Sequence, residues 1–450
     1  MRDVKVALVN PGRNIEYAAT EPLNLEYIAS YLEKNGIEVK IIDELAGQNV
    51  EDEIKKYNPT IVGLTATTPV VLDAYRIADM CRKNGILTVI GGVHVSILSE
   101  EALKHVDIVV VGEGERAMLD IIKDGIKSGI VTRPYIENID EIPMPARHLV
   151  DMDFYFEISS NSFYFAPNIK TGTIITSRGC PFQCMFCHNS WRKTPFRFHS
   201  AERVIDEIKY MIEKYDIKAL FFADDNLFSN KPRLEKICDL IKENSIDIIW
   251  GCSSRVDNIT PELLKKVKEV GCVGIGFGFE SGSQRILDVV NKKTTVEQNK
   301  KAIKLCKEAG ILMMGSFMIG NPTETVEDVR TTQNFIKEND IDFASIFITT
   351  PFPGTKLWEW CEEHNLIPEP LDWSEFMLTK FPPPILACQT IPSDELKRLF
   401  DETNEILIER KQKIPISWMI KTGLKHPIRT INMINRKKSD LSKYLKRLKL

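Results

Sequence analysis

No stretch of this chain is apolar for long enough to cross a membrane. The amino terminus passes straight into a strand-like DVKVALVN, so no secretory signal is expected. Cysteine is too sparse for a disulfide scaffold: there are ten in 450 residues, and seven (Cys81, Cys238, Cys252, Cys272, Cys306, Cys361, Cys388) are scattered. A reducing compartment, the cytoplasm, is the expectation. No catalytic triad appears, and no residue is assigned as a catalytic acid, base or nucleophile. Between Lys411 and Leu450 acid is almost missing: twelve Lys/Arg face only Asp440, a local charge of +11, which leaves −15 on the rest of a chain whose net charge is −4. Such a tail suits an anionic membrane surface, with the protein peripheral to it, an acidic protein face, or a plain solvated basic helix. Nucleic acid, the third anionic surface it could meet, is not the expected partner.

What is present is the composition of a globular enzyme, 43 % hydrophobic and 27 % charged, and a length that calls for two or three domains. The first segment, residues 1–131, alternates apolar strands (VKVALVN, EVKIID, TIVGLTA, LTVIGG, IVVVGEG) with amphipathic helices. Five strands so separated predict a doubly wound, Rossmann-like α/β domain with ligands beyond the carboxyl ends of its strands. Those ends carry Pro11, Gly12 and Arg13; Thr65, Ala66, Thr67, Thr68 and Pro69; Gly91, Gly92 and His94; and Gly112, Glu113, Gly114 and Glu115. Any one loop reads as a tight turn, but four on one sheet edge point to a cofactor site. Residues 132–170, with IPMPARHLV and an aromatic-rich stretch lacking clear period, read as a linker packed on both neighbours.

A second alternating series, residues 171–357, runs through TGTIIT, ALFFADDN, DIIWGCSSR, VGIGFGFES, LMMGSFMIGNPTE and FASIFITTPFPGT. Six strand–helix repeats predict a partial (β/α)6 barrel of TIM type with its chemistry at the carboxyl ends of the strands. Residues 358–450 read as a mainly helical carboxyl-terminal region that ends in the basic tail. Within it Trp373, Phe376 and Phe381 are candidates for a substrate pocket or, more simply, core packing.

The densest signal is SRGCPFQCMFCHNS, which places Cys180, Cys184 and Cys187 at Cys-x3-Cys-x2-Cys. A structural zinc site would need a fourth ligand such as His188 or His199. Three thiolates can instead hold an iron–sulfur cluster and leave one iron open. This loop, with Phe186 before the last cysteine, resembles the cluster loop of the radical S-adenosylmethionine (SAM) superfamily. The resemblance implies a [4Fe–4S] cluster on the three cysteines, with SAM on the open iron and a 5′-deoxyadenosyl radical as product of its reductive cleavage. It also implies SAM contacts at Phe186; at Asp224, Asp225 and Asn226 for the methionine amino group; and at Arg255 for its carboxylate. Glu280 and Ser281 would meet the ribose, and Ser316 and Gly320 on the fifth strand would flank the adenine.

The amino-terminal loops resemble the cobalamin-binding domain that precedes this barrel in one large subfamily, the class B radical SAM methyltransferases. One departure is visible: many such domains carry Asp-x-His-x-x-Gly, whereas this chain has Asp43-Glu-Leu45-Ala-Gly47. The resemblance therefore implies cobalamin without a histidine ligand from this loop. The activity implied is methyl transfer to an unactivated carbon of a peptide, lipid or small metabolite, with electrons from a donor such as flavodoxin or ferredoxin. Two alternatives stay open: cyclisation, ring contraction or carbon–carbon coupling by a relative of the same subfamily, and a non-catalytic corrinoid or iron–sulfur carrier.

Overall fold

The computed structural model describes residues 4–13, 21–163, 165, 169–188, 194–377 and 381–410; the basic tail lies outside them. The described residues form two six-stranded parallel sheets and a small two-stranded ribbon. In the first, β1 (Lys5–Asn10), β2 (Glu38–Asp43), β3 (Ile61–Thr65), β4 (Leu87–Gly91), β5 (Ile108–Val111) and β6 (Gly129–Thr132) lie in the order β2-β1-β3-β4-β5-β6. Near-continuous apolar strands such as KVALVN are buried on both faces, as a parallel sheet requires. Helices Val50–Tyr57 and Val71–Lys83 cover one face, and Leu23–Lys34 and Gly114–Asp124 the other. The sheet is doubly wound, and its order reverses between β1 and β3. The sixth strand was not anticipated: GIVT is short and mostly exposed, so it carries no apolar pattern.

Beyond a connecting segment come β7 (Thr171–Ile174), an antiparallel ribbon of β8 (Ser177–Arg178) and β9 (Arg197–Phe198), then β10 (Ala219–Phe222), β11 (Ile249–Ser254), β12 (Cys272–Glu280), β13 (Leu312–Ile319) and β14 (Phe343–Ile348). β7 and β10–β14 form the second sheet, neighbour following neighbour in chain order, which is the partial barrel of six expected strands. Ser200, Asn230, Thr260, Thr295 and Thr325 cap the five main helices of the convex side, each side chain accepting a first-turn amide. These helices bury their apolar faces with Ile174, Phe222, Trp250, Ile275 and Phe317 in the largest core. The opposite, concave face is only half-buried and is lined by small or slender side chains, among them Ser253, Gly276, Gly278, Ser316 and Ser345.

The aromatic-rich linker resolves into two devices. Helix Met152–Ser162 sits between the domains, the Tyr155 hydroxyl donating to Asp43 at the end of β2 while Phe156 joins the barrel core. Phe163 and Phe165 then plug the amino-terminal end of the barrel. A Cβ on Gly274 would meet Phe165 at 2.1 Å and one on Gly251 would meet Phe163 at 2.9 Å, so these strand glycines make room for the plug. With that end sealed, the open mouth lies at the carboxyl ends of the strands.

Among the described residues after Trp358, none forms a separate core. Cys361, Trp373, Phe376 and Ile385 pack into the first domain, whereas Cys388, Ile391, Leu396 and Leu399 pack on the barrel. Trp373 and Phe376 are buried core residues, and Phe381 packs, half-buried, against Phe400. All seven scattered cysteines are buried and free. Among the described residues no helix is long and apolar enough to cross a membrane.

Candidate functional site

At the reversal between β1 and β3, where a doubly wound sheet opens a crevice, lies a cavity of about 120 Å³. Its floor is apolar, with Leu8, Val89, Val110 and Met118, and its rim is Thr65, Gly91, Gly92, Gly112 and Gly114. Gly92 is required here: it adopts φ +117° and a Cβ would strike the Ala66 carbonyl at 2.5 Å, so two loops meet backbone to backbone. A narrow slot with an apolar floor and a glycine rim could take an apolar part of a larger cofactor such as a corrinoid, with the remainder lying across the rim.

The other expected corrinoid residues divide into two sets. Pro11 and Gly12 follow β1, and the Gly12 amide donates to Glu44, which also pairs with the exposed Arg13. Thr65 accepts from Asn24; Ala66 and Thr67 lead into a 3-10 turn, Thr68–Val70, that contains Pro69. Leu45 touches Gly12, so the place of the missing histidine is filled by packed hydrocarbon. His94 turns inward instead. It is buried, bonded to the Thr68 hydroxyl at 3.1 Å, 3.6 Å from Glu101 and edge-on to Trp373, which makes it a brace for the loop. Glu113 and Glu115 also send their side chains away from the crevice, to Arg178 and Arg197 of the barrel.

On the barrel side the three cysteines occupy the loop that β8 and β9 close at its base. Cys184 is buried and Cys180 and Cys187 are half-buried. Burial pushes the Cys180 thiol up to about 11, with Asp225, Cys187 and Cys184 all near enough to raise it. Among the described residues no three His, Cys, Asp or Glu side chains are gathered tightly enough to hold a metal ion. His199 does not supply a fourth ligand; its ring is bonded to Asp140 at 2.8 Å and buried, and burial pushes it down to about 4. Met185 and Phe186 pack, half-buried, against the apolar cluster that first-domain residues share with Leu357, Trp373 and Phe376, and the Met185 carbonyl accepts from the Leu357 amide at 3.0 Å.

The expected SAM residues stand at the barrel mouth in different states. Asp224 is buried beneath Thr176 and Ser177, which donate to it, and burial raises its pKa. Asp225 is exposed at the mouth. Asn226 is buried, and its amide nitrogen has no acceptor, so two protons there await a ligand. Arg255 lies over the Phe182 ring, 3.7 Å from the Cys184 sulfur, but its guanidinium already holds the Asp257 carboxylate at 3.1 Å. Glu280 sits at φ +61°, a costly conformation for a side chain with a Cβ, and pairs with Lys292 at 2.7 Å. Ser281 is fully buried and its hydroxyl is shared with Thr332 and the Ser283 amide. Ser316 faces the concave side, and Gly320 donates its amide to Glu324.

Lys292 was missed. Its ammonium is buried between Glu280 and the cluster loop, close enough to lower the Cys184 pKa that burial raises. Arg178 stood in the quoted cysteine stretch, but its partners lie 65 and 63 residues upstream and no local pattern announces them. The orphaned Asn226 donor, the small-residue concave face and the three-thiol loop suit SAM beside a cluster, as the glycine-rimmed crevice suits cobalamin.

Comparison with known proteins agrees. The radical SAM superfamily model matches residues 174–336 and the B12-binding domain model residues 17–122. Over 432 residues the chain is 36 % identical to the uncharacterized methyltransferase PH0819 of Pyrococcus horikoshii, covering 89 % of this chain and 91 % of that protein. It is 29 % identical over 374 residues to the anaerobic magnesium-protoporphyrin IX monomethyl ester cyclase of Rubrivivax gelatinosus, covering 75 % and 66 %. Its fold matches that of the methyltransferase TsrM of Kitasatospora setae, solved with cobalamin and a [4Fe–4S] cluster, at a TM-score of 0.67 and 19 % identity over 88 % of this chain and 81 % of that one. The chain belongs to the cobalamin-dependent methyltransferase family of the radical SAM superfamily, and it is an enzyme whose cofactors are a [4Fe–4S] cluster, SAM and cobalamin.

Proposed function

We propose that the enzyme transfers a methyl group to an unactivated carbon of a small-metabolite, lipid or peptide substrate held between the two sheets. The observation that carries this reading is the contact of Arg178 and Arg197, at the root of the cluster loop, with Glu113, whose neighbours Gly112 and Gly114 line the crevice. When bound, SAM and the cluster supply a carbon-centred radical and cobalamin supplies a methyl carrier; such chemistry belongs to the cofactors, and the chain's task is orientation and exclusion of water. Cys180, Cys184 and Cys187 would hold the cluster, Asp225 would meet the methionine amino group, and the Asn226 amide N–H would meet an acceptor such as the methionine carboxylate. Arg255 and Lys292 hold positive charge against the loop. No acid–base pair is assigned, since Asp224 and Glu280 are engaged with neighbouring side chains. A one-electron donor such as flavodoxin or ferredoxin would reduce the cluster.

The test is incubation of the reduced, reconstituted enzyme with SAM carrying a deuterated methyl group and panels of candidate acceptors. 5′-Deoxyadenosine together with a product heavier by one labelled methyl is the expected result. Deoxyadenosine with a product that has rearranged or cyclised without gaining the label would favour the cyclase relative's type of reaction. No deoxyadenosine under any condition would leave only a carrier.

A further inference from the structure

The two residues that close the base of the cluster loop are both arginines. Arg178 and Arg197 are cross-strand partners on β8 and β9, and Cys180, Cys184 and Cys187 lie in the chain between them. Two like charges directly opposite one another are unfavourable on a ribbon by themselves. Here both point at the same carboxylate of the other domain. Arg178 donates to Glu113 at 2.9 Å and to Glu115 at 2.5 Å. Arg197 donates to both Glu113 oxygens, at 3.0 and 2.8 Å, and to the Ile136 carbonyl at 2.6 Å. The Ile136 amide completes the Glu113 carboxylate at 3.1 Å. These are not rim ion pairs: the side chains are 18 %, 9 %, 15 % and 4 % exposed for Arg178, Arg197, Glu113 and Glu115. Tyr27 and Tyr135 cover the guanidinium groups.

On its own domain, Glu113 lies between Gly112 and Gly114, both of which line the corrinoid crevice. One residue thus has its backbone at the rim of one cofactor site and its side chain at the root of the other. The Glu113 position cannot shift with the contents of the crevice without pulling on both strands of the ribbon. Charged, forked hydrogen bonds at low exposure transmit such a shift, because partial rupture would leave buried charge unpaired.

We propose that Glu113, gripped by Arg178 and Arg197, couples the two cofactor sites: occupancy of the corrinoid crevice sets the position of the cluster loop. Glu113 and Arg178 are positioning residues, acting through the loop and not on the reacting atoms. The inference rests on the cofactor assignment but is independent of whether the reaction is methylation or cyclisation.

The test is hydrogen exchange on the full-length chain before cluster reconstitution, with and without hydroxocobalamin at saturation, saturation being verified by the corrinoid's own visible spectrum. Exchange of peptides covering residues 177–198 should slow when hydroxocobalamin binds the wild-type chain. In Glu113→Gln that slowing should be lost although the corrinoid is bound, and in Arg178→Lys, which keeps the charge but not the fork, it should be reduced. If bound hydroxocobalamin leaves the wild-type loop unchanged, or if Glu113→Gln responds like wild type, the coupling is wrong while the corrinoid site stands. If hydroxocobalamin does not bind the wild-type chain at all, the corrinoid assignment falls and the coupling with it. Should Glu113→Gln fail to fold, wild type against Arg178→Lys decides the matter by the same readout.

Discussion

Cys184 is the buried member of the thiol triplet, wedged under Arg255 and beside Lys292. Replacing it with alanine is expected to remove cluster absorbance and all SAM cleavage while corrinoid binding persists; cleavage that survives would contradict the cluster assignment. Gly92 is its counterpart across the interface. Gly92→Val places a Cβ against the Ala66 carbonyl in a conformation valine rarely adopts, so corrinoid affinity should fall by at least about tenfold, roughly 1.4 kcal/mol. Deoxyadenosine formation without coupling to methyl transfer should remain. At this scale the sequence was readable where chemistry is local. Three cysteines in eight residues pointed to a metal loop through their spacing together with the family resemblance, and Gly92 to a close approach of backbone. Lys292 was invisible because it acts through a partner, Glu280, brought beside it by a turn. Arg255 was legible as a cation at a strand end that could pair with a carboxylate, but not the Asp257 carboxylate that it holds.

Among the elements, the loop after β13 shows how a motif is held. Glu324 in GNPTE folds back so that one carboxylate oxygen accepts the Gly320 and Asn321 amides, at 2.6 and 2.9 Å. Burial nevertheless pushes its pKa up to about 7 from 4.5, outweighing those donors. A carboxyl raised in the folded state binds more protons there than in the unfolded chain. Its contribution is therefore fully present below about pH 4.5 and is lost as pH rises through about 7, by at most about 3 kcal/mol. Glu324→Gln should flatten this slope, seen as a smaller change in the urea midpoint between about pH 5 and about pH 8; an unchanged slope would reject the assignment. Strands with steady apolar runs were read correctly, all six of the barrel among them. Helix Met152–Ser162 was not, because it packs Tyr155 on one domain and Phe156 on the other and so shows no single apolar stripe. β6 escaped for the opposite reason, having little to bury.

For the whole molecule, the decisive feature is that the two domains are fastened by buried polar contacts rather than left to a flexible tether. Besides the Glu113 fork and the Tyr155–Asp43 bond, Arg147 lies fully buried between Glu21 of the first domain and Glu207 of the barrel, and donates to the Thr173 carbonyl at 2.9 Å. Arg147→Met should cost on the order of 3–5 kcal/mol, because it strands buried carboxylates without their cation. Urea unfolding of the chain without cofactors measures this, and a loss under about 1 kcal/mol would show that the junction is more open than described. None of these fastenings could be foreseen, since each joins residues far apart in the chain; alternation alone predicted two α/β units, not how they face. That facing is what places a corrinoid opposite a cluster. It is tested most directly by anaerobic purification with corrinoid present, cluster reconstitution, and iron and cobalt counts per chain beside the visible spectrum. About four irons and about one cobalt in the same protein are expected. Iron at that level with no retained cobalt would contradict the two-cofactor arrangement.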